Sequence, residues 1–306
     1  MATAIGAVAT SPRIAFKSIL FPTDFSTPSE RALPFAVRLA RAYGATIHML
    51  HVLPPQPMSC ETPDALARTM ETQLEYAQSE VRGLETGLAG ISHDVNITRA
   101  ASVWEAIEES LRTTAADLII LGTHGRTGAE KFLLGSVAEE VFRRSPIPVL
   151  TVGPRVNSAV QEPKRFHRIL FATDFSPHSL AALPYAIALA QQNRTFLIML
   201  HVMRAPEWHG GEAALGDSFE ADTNALAKIV PEDAQLSCCP LTVLAYGKPA
   251  DRILQIARED QVDLIVLGLR NSIGNIGAAT HLGHAVSHLV VARAACPVLT
   301  VRALTS

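Results

Sequence analysis

Short apolar runs recur along the chain, and amphipathic or polar stretches separate them. In the first half these runs are continuous rather than alternating, which is typical of strands covered on both faces of a parallel sheet. They occupy residues 18–21, 46–52, 95–101, 118–121 and 149–152. Helical patterns lie between them, including 104–113 and 136–144. Alternating strands and helices predict right-handed βαβ units, and therefore an α/β fold with a doubly wound sheet and helices on both faces.

The clearest helical pattern follows the first strand. Thr27 is predicted as the N-cap of this helix, with Pro28 in its first position and Glu30 completing a capping box. Gly44 is placed to end it. Pro34 falls inside the apolar stripe, so we expect a single helix that carries a tolerated kink.

The chain contains an internal repeat. Residues 17–52 align without gaps with residues 167–202, and half of the aligned positions are identical. Two later segments repeat as well, 117–122 as 263–268 and 148–152 as 297–301. A period of about 150 residues is too long for a solenoid and predicts a duplicated domain. We expect a flexible N-terminus over 1–16, a first domain over 17–153, a linker over 154–166 and a second domain over 167–303.

Composition and charge argue against several functional classes. The 306 residues are 48% hydrophobic and 18% charged, with a net charge of −3. This charge gives no electrostatic basis for binding nucleic acid or an anionic membrane surface. No segment approaches the roughly 20 apolar residues of a membrane span, and the first residues lack the pattern of a secretory signal. The cysteines show no CxxC or metal-ligand spacing, so we expect reduced thiols in a cytoplasmic protein.

Candidate ligand-binding residues follow three of the predicted strands and begin the last helix of the first half. Ligands of open α/β sheets bind beyond the carboxyl ends of the strands. Glycines let the backbone approach a phosphate, and amides at a helix N-terminus donate to it. The same glycines also fit a tight strand–helix turn, and Asp24 also fits a helix start. The candidate residues from these segments are Pro22, Thr23, Asp24, Val52, Gly122, Thr123, His124, Gly125, Arg126, Gly135 and Ser136, and the family resemblance described next adds Val137.

Neither GxxxxGK[ST] nor GxGxxG occurs in the sequence, so the usual nucleotide motifs do not explain this pattern. The longer spacing Gly122-x2-Gly125-x9-Gly135-Ser136, with Asp24 after the first strand, resembles the universal stress protein family. The resemblance covers nearly the whole chain, once in each half. It implies five parallel strands per domain in the order 3-2-1-4-5, and ATP binding, with Mg²⁺, in members that keep the glycine motif.

The resemblance also implies a role for each position. It assigns the adenosine end to Asp24 and to the backbone of Val52. It assigns the ribose and phosphates to Gly122, His124, Gly125 and Arg126, and the end of the phosphate tail to Gly135, Ser136 and Val137.

The second half departs from the motif. Asp174, Val202 and Gly268 repeat the first half, but Asn271 replaces Gly125. His284-Ala285 replaces Gly135-Ser136, with Gly283 one residue earlier. We therefore predict one competent ATP site, in the first half. Residues 208–217 are expected to form an irregular region near the second site.

The leading hypothesis is an ATP-binding regulator of the stress response that acts on an unknown protein partner. The resemblance implies an intrachain pseudo-dimer, with the last strand of each half near the other, and leaves a homodimer of two chains open. The alternatives are an interaction scaffold without a nucleotide requirement and an ATP-hydrolysing enzyme. The sequence contains no evident base and nucleophile, so we expect slow hydrolysis or autophosphorylation at most.

Three histidines, His281, His284 and His288, have the spacing of one helix face. Such a spacing can bind a transition metal, but no carboxylate neighbour is evident. We therefore favour an unliganded surface or interface cluster and predict no metal site. The Arg143-Arg144 pair is expected to favour the C-terminus of its helix rather than to bind a partner.

Overall fold

The computed structural model describes residues 14–55, 62–123, 134–156, 165–203, 212–270 and 286–303. Both halves of the chain have the same succession of strands and helices. The first half contains β1 (Ser18–Pro22), α1 (Thr27–Glu30), α2 (Leu33–Tyr43), β2 (Thr46–Leu53), α3 (Pro63–Glu85), a 3-10 turn (Thr86–Leu88), β3 (His93–Arg99), α4 (Val103–Thr114), β4 (Leu118–Gly122), α5 (Ser136–Arg144) and β5 (Val149–Val152). The second half contains β6 (Arg168–Thr173), α6 (Pro177–Leu180), α7 (Leu183–Asn193), β7 (Phe196–Met203), α8 (Glu212–Lys228), β8 (Leu241–Tyr246), α9 (Pro249–Glu259), β9 (Leu264–Leu269), α10 (Val286–Arg293) and β10 (Val298–Arg302).

Each half forms a parallel five-stranded sheet in the predicted order 3-2-1-4-5. The last strands, β5 and β10, are antiparallel neighbours and join the halves into one ten-stranded sheet. At this junction Thr151 pairs with Val298, and Thr300 pairs with Val149. The two threonine hydroxyls also donate to the carbonyl oxygens of these partners, at 3.1 and 3.3 Å. Each half thus covers a strand edge that would otherwise expose unpaired backbone groups.

The central strands are buried on both faces of the sheet. All four residues of β5 are buried, and so are the first four of β4. One hydrophobic cluster contains Phe21 of the first half and Phe171 of the second, and both side chains are fully buried. Because this cluster includes residues of both halves, the apolar surface buried on folding continues across the β5–β10 junction.

The chain after β1 differs from the sequence prediction. Ser26, not Thr27, is the N-cap of α1, and its hydroxyl oxygen accepts from the Ser29 amide at 3.3 Å. The predicted kinked helix is wrong, because α1 ends and α2 begins anew with Pro34 in its first turn. A proline is tolerated there since its missing N–H would have no acceptor within the helix. Gly44 ends α2 in the left-handed conformation, as predicted.

Two helices were missed or misjudged from the sequence. The 23-residue α3 buries only Ala77 and Val81, so its apolar stripe is too thin to stand out. Residues 212–217, expected to be irregular, belong to α8. Length alone does not make α3 a membrane helix: across the described parts of the chain, no helix is both long and apolar enough to span a bilayer.

Helices α2 and α7 meet across the two halves through a buried arginine. The Arg38 Nη2 donates to the Asn193 Oδ1 at 2.7 Å, and the guanidinium lies over the Phe166 ring. Burial lowers the pKa of Arg38 to about 10, which leaves it charged at neutral pH. The Gln192 side chain adds a hydrogen bond to the Ala42 carbonyl oxygen at 2.9 Å. The two halves are therefore linked by side chains as well as by the sheet.

Candidate functional site

A cavity of about 240 Å³ lies at the carboxyl ends of β1, β2 and β4, beside the N-terminus of α5. Nine predicted site residues line it: Pro22, Thr23, Asp24, Val52, Gly122, Thr123, Gly135, Ser136 and Val137. The other three, His124, Gly125 and Arg126, lie outside the described residues. The structure also brings in residues that the sequence pattern did not single out as ligand contacts: Ser29, Leu50, His51, Val103, Leu121 and Ala138.

A hydrogen-bonded turn shapes the wall that follows β1. The Asp24 Oδ1 accepts from the Ser26 amide at 3.1 Å and from the Ser26 hydroxyl at 2.6 Å. Between them Phe25 adopts a left-handed conformation, with φ of 59°. The Thr23 Oγ1 accepts from the Phe25 amide at 3.1 Å and from the Ser29 hydroxyl at 3.0 Å. Asp24 therefore supports the start of α1, as considered from the sequence, by accepting hydrogen bonds from its N-cap residue. Asp24 also lines the cavity, so the structural role and a ligand-binding role are compatible.

His51 holds the ends of β1 and β2 together. Its Nδ1 lies 2.8 Å from the Thr23 carbonyl oxygen, and since a carbonyl only accepts, Nδ1 carries the proton. The ring is buried and packs 4.2 Å from the Phe25 ring, between centroids. In the second half, His201 repeats the bond to the Thr173 carbonyl oxygen at 2.8 Å. The repetition indicates that these histidines belong to the fold.

Gly122 is required by packing. A Cβ at this position would lie 2.5 Å from the Pro28 carbonyl oxygen and 3.0 Å from the Ser29 Cα, both in the α1 backbone. Gly268 is enclosed in the same way, since a Cβ there would lie 2.0 Å from the His178 carbonyl oxygen of α6. These glycines let a helix pack directly on a strand end. The persistence of Gly268 in the second half therefore carries no information about a ligand.

The N-terminus of α5 presents backbone donors to the first cavity. Gly135 is the N-cap, with φ of −60° and ψ of 150°, and its amide donates to the Thr123 carbonyl oxygen at 2.8 Å. Ser136, Val137 and Ala138 form the first turn and line the cavity. First-turn amides have no acceptor within their helix, and the helix dipole makes this end positive. The arrangement suits an anionic group of a ligand.

The second half contains a larger cavity, of about 670 Å³, at the corresponding strand ends. Thr173, Asp174, Val202 and Gly268, the counterparts of four first-half residues, line it. The predicted loss of phosphate binding in the second half rests on four positions that lie outside the described residues: Asn271, Gly283, His284 and Ala285.

Asp174 is paired with an arginine. The Asp174 Oδ2 accepts from the Arg270 Nη2 at 3.1 Å, and its Oδ1 accepts from the Ser176 hydroxyl at 2.5 Å. Partial burial disfavours the ionised carboxylate, but hydrogen bonds from Ser176, Ser179 and Arg270 outweigh it and hold the pKa of Asp174 well below its usual range. Asp174 is therefore ionised and engaged.

The histidine cluster is described only in part, since His281 and His284 lie outside the described residues. His288, on α10, is buried and has its ring 6.2 Å from that of Phe142 of the other half. Burial lowers the pKa of His288, although the Glu139 carboxylate opposes the shift. This position is an interface between the halves.

The sequence profile of the universal stress protein family matches the chain twice, over residues 15–153 and 165–302. A universal stress protein of Thermus aquaticus is 35% identical over 137 residues, which are 45% of this chain and 98% of that protein. A universal stress protein of Mycolicibacterium smegmatis is 26% identical over 298 residues, covering 93% of this chain and 96% of its own length. The crystal structure of a universal stress protein from Archaeoglobus fulgidus has a TM-score of 0.68 at 22% identity, covering 93% of this chain and 98% of that one, and shares its fold.

Proposed function

Because the chain belongs to the universal stress protein family, we propose that its first cavity binds ATP and that the protein is a nucleotide-dependent regulator of the stress response. One observation carries the proposal. The nine described residues that were predicted from separate segments of the sequence all line the same cavity. Segments as far apart as Pro22 and Val137 converge there, beside a helix N-terminus that suits phosphate.

The cavity and the helix would bind different parts of the nucleotide. A volume of about 240 Å³ is smaller than the ~300–1,000 Å³ of most ligand pockets, so we assign the cavity itself to adenosine. Leu50, Val52 and Val103 supply the apolar wall that a base requires. The phosphates would accept hydrogen bonds from the first-turn amides of α5, with the Ser136 hydroxyl as a further donor.

Mg²⁺ would reach this site with the nucleotide. Within the part of the chain that is described, no group of three or more His, Cys, Asp or Glu side chains could hold a metal ion. Asp24 is the acidic side chain among the described residues that line the cavity. Mg²⁺ usually keeps several waters and binds through one or two carboxylates plus substrate phosphates, which agrees with this set.

We propose slow turnover at most. Asp24 and His51 are the titratable side chains among the described lining residues. The Asp24 Oδ1 accepts two hydrogen bonds from Ser26, and the His51 Nδ1 donates to the Thr23 carbonyl oxygen. A general base must reach the proton that it removes, and both side chains are engaged by the turn that follows β1, with His51 buried as well. The described residues of this wall can bind and position a nucleotide. This suits a regulator that responds to whether a nucleotide is bound.

Isothermal titration with ATP and Mg²⁺ tests the proposal, with two matched variants. Val52 and Val202 occupy equivalent positions and line the first and second cavities, respectively. We expect Val52→Trp to fill the first cavity and abolish ATP binding there, and Val202→Trp to leave the first site intact. Gly125→Asp should also weaken binding by introducing negative charge beside the phosphates.

Absence of ATP binding to the wild-type protein would refute the proposal, and so would ATP binding whose affinity and stoichiometry are unchanged by Val52→Trp. A protein that binds no ATP but still associates with other proteins would instead be an interaction scaffold. Robust multiple turnover of ATP would favour the enzyme alternative.

A further inference from the structure

The second cavity has an apolar end and a positively charged end. On one side of β6 lie the apolar residues Leu200, Val202 and Met203 of β7, together with Pro249 and Ile253 of α9. On the other side, towards β9, β10 and the first half, the lining includes Arg143, Arg270 and Arg302. Such a division suits a ligand with an apolar body and an anionic group.

The charged end is built across the two halves by Arg302. Its Nη2 donates to the Phe142 and Arg143 carbonyl oxygens, each at 2.9 Å, and its Nη1 donates to the Arg270 carbonyl oxygen at 3.2 Å. One guanidinium thus joins the C-terminus of α5 in the first half to the end of β9 in the second. The side chains of Arg143 and Arg270 therefore start from the same small region of the cavity wall.

The charges at this end do not balance. Among the described residues that line the cavity, three arginines are opposed by one carboxylate, that of Asp174, which is paired with Arg270. This leaves two positive charges in excess, and like charges placed together repel one another. Among the described residues no carboxylate lies within ion-pair distance of Arg143. An anion bound between Arg143 and Arg270 would balance this excess charge.

We propose that the second cavity binds a phosphomonoester carried on a flat apolar ring, with Arg143 and Arg270 as the phosphate contacts. A phosphomonoester carries a charge of about −1.5 to −2 at neutral pH, which matches the excess of two positive charges. Guanidinium groups bind phosphate oxygens through paired N–H donors, and the ring would pack at the end formed by β7 and α9. Arg302 is a positioning residue, since its donors are engaged by main-chain carbonyls.

This site differs from the proposed ATP site in how it binds the anion. In the first cavity the phosphates would meet backbone amides of α5, whereas here side chains supply the charge. The arginines also have no counterparts at the equivalent positions of the opposite half, which are occupied by His124, Gly153 and Ala292. The inference does not rest on ATP binding to the first cavity.

The test uses the full-length Val52→Trp protein, in which the first cavity is filled, and isothermal titration with three probes. We expect phenyl phosphate and adenosine 5′-monophosphate to bind at one site per chain, and uncharged adenosine to bind about tenfold more weakly or not at all. Tight binding of the nucleotide alone would identify a purine as the ring. Comparable binding of both would identify a general aromatic phosphate site.

Three substitutions in that background locate the anion. Arg143→Gln and Arg270→Gln should each weaken phosphate binding about tenfold, and Val202→Trp should abolish it. Arg144→Gln is the matched control, because Arg144 is adjacent in sequence but pairs with Glu140 and lies over the Trp104 ring. Its affinity should equal that of the parent protein.

Four results would overturn the proposal. They are failure of both phosphates to bind, equal affinity for adenosine, affinity unchanged by Arg143→Gln and Arg270→Gln, and binding that persists in the Val202→Trp protein. Thermal unfolding of every variant distinguishes a lost contact from a lost fold. None of these results depends on ATP binding to the wild-type protein, so the two proposals can fail separately.

Discussion

Replacing Gly122 with alanine distinguishes a packing role from a phosphate-binding role. The new Cβ would lie 2.5 Å from the Pro28 carbonyl oxygen, whereas ordinary contact of a Cβ begins at 3.4 Å. Strand β4 is buried, and the clash is with backbone rather than with a flexible side chain. Helix α1 must therefore move by about 0.9 Å, the difference between these two distances.

The expected cost follows from overpacking. Forcing an extra carbon into a well-packed site costs about 1–3 kcal/mol of unfolding free energy. Gly268→Ala should cost more than Gly122→Ala, because its Cβ would lie only 2.0 Å from the His178 carbonyl oxygen. The two substitutions are equivalent in position, so their order reports the geometry of the clash.

Urea unfolding followed by circular dichroism, without nucleotide, measures these costs through the shift in midpoint. Gly83→Ala is the control, since a Cβ at this position in α3 would have no neighbour within 4 Å. It should stabilise the protein by about 0.5–1 kcal/mol, because alanine favours a helix over glycine.

The reasoning fails if Gly122→Ala unfolds at the wild-type urea concentration while losing affinity for ATP. That combination would assign Gly122 to the ligand rather than to the fold. A larger loss for Gly122→Ala than for Gly268→Ala would also contradict the packing argument. Urea unfolding reports the stability of each variant, and isothermal titration reports its affinity for ATP.

Three further predictions concern single side chains. Arg302→Gln should lower the unfolding free energy by about 1–3 kcal/mol, because carbonyl oxygens at the end of α5 lose their charged donors. In a parallel urea titration, Arg112→Gln should cause no measurable shift in midpoint, because Arg112 is exposed. Burial lowers the pKa of His288 below its ordinary 6.5, so the unfolded chain binds the proton more readily and stability is lost as pH falls through this range. The difference in unfolding free energy between about pH 7.5 and about pH 5.5 should therefore shrink in His288→Leu, and an unchanged difference would exclude His288 as its source. Burial raises the pKa of the Cys296 thiol to about 12. Alkylation of the native protein, followed by peptide mass spectrometry, should therefore show label on exposed Cys239 and none on Cys296. Equal labelling of the two cysteines would contradict the burial of Cys296.

Much of the fold could be predicted because its signals are local. Continuous apolar runs identified the strands, and helix α5 was predicted with its observed bounds, Ser136–Arg144. Helix α3 was missed because an exposed helix with two buried residues has little apolar periodicity. The break before Pro34 was misjudged because a proline in a first turn and a proline inside a helix look alike in sequence.

For the candidate site, the sequence could predict which residues lie together but not the structural reason for each of them. Residues at strand ends meet at one edge of a parallel sheet whatever their separation along the chain, so Asp24, Val52 and Gly122 could be grouped. The reason for each glycine could not be predicted. Gly122 is required by the backbone of α1, whereas Gly135 has an N-cap conformation open to other residues.

The sequence by itself determined the repeated α/β domain, the strand ends at which a ligand could bind and the family that the pattern resembles. Each depends on periodicity within an element or on spacing between elements, which the order of residues contains. The resemblance already placed the last strands of the two halves near each other. Only the tertiary structure decided the antiparallel register of β5 on β10 and the reach of Arg302 to the Phe142 carbonyl oxygen, 160 residues away. Such contacts depend on how two finished domains pack, so no local pattern records them. The charged end of the second cavity belongs to this class, because it forms only when the two halves meet.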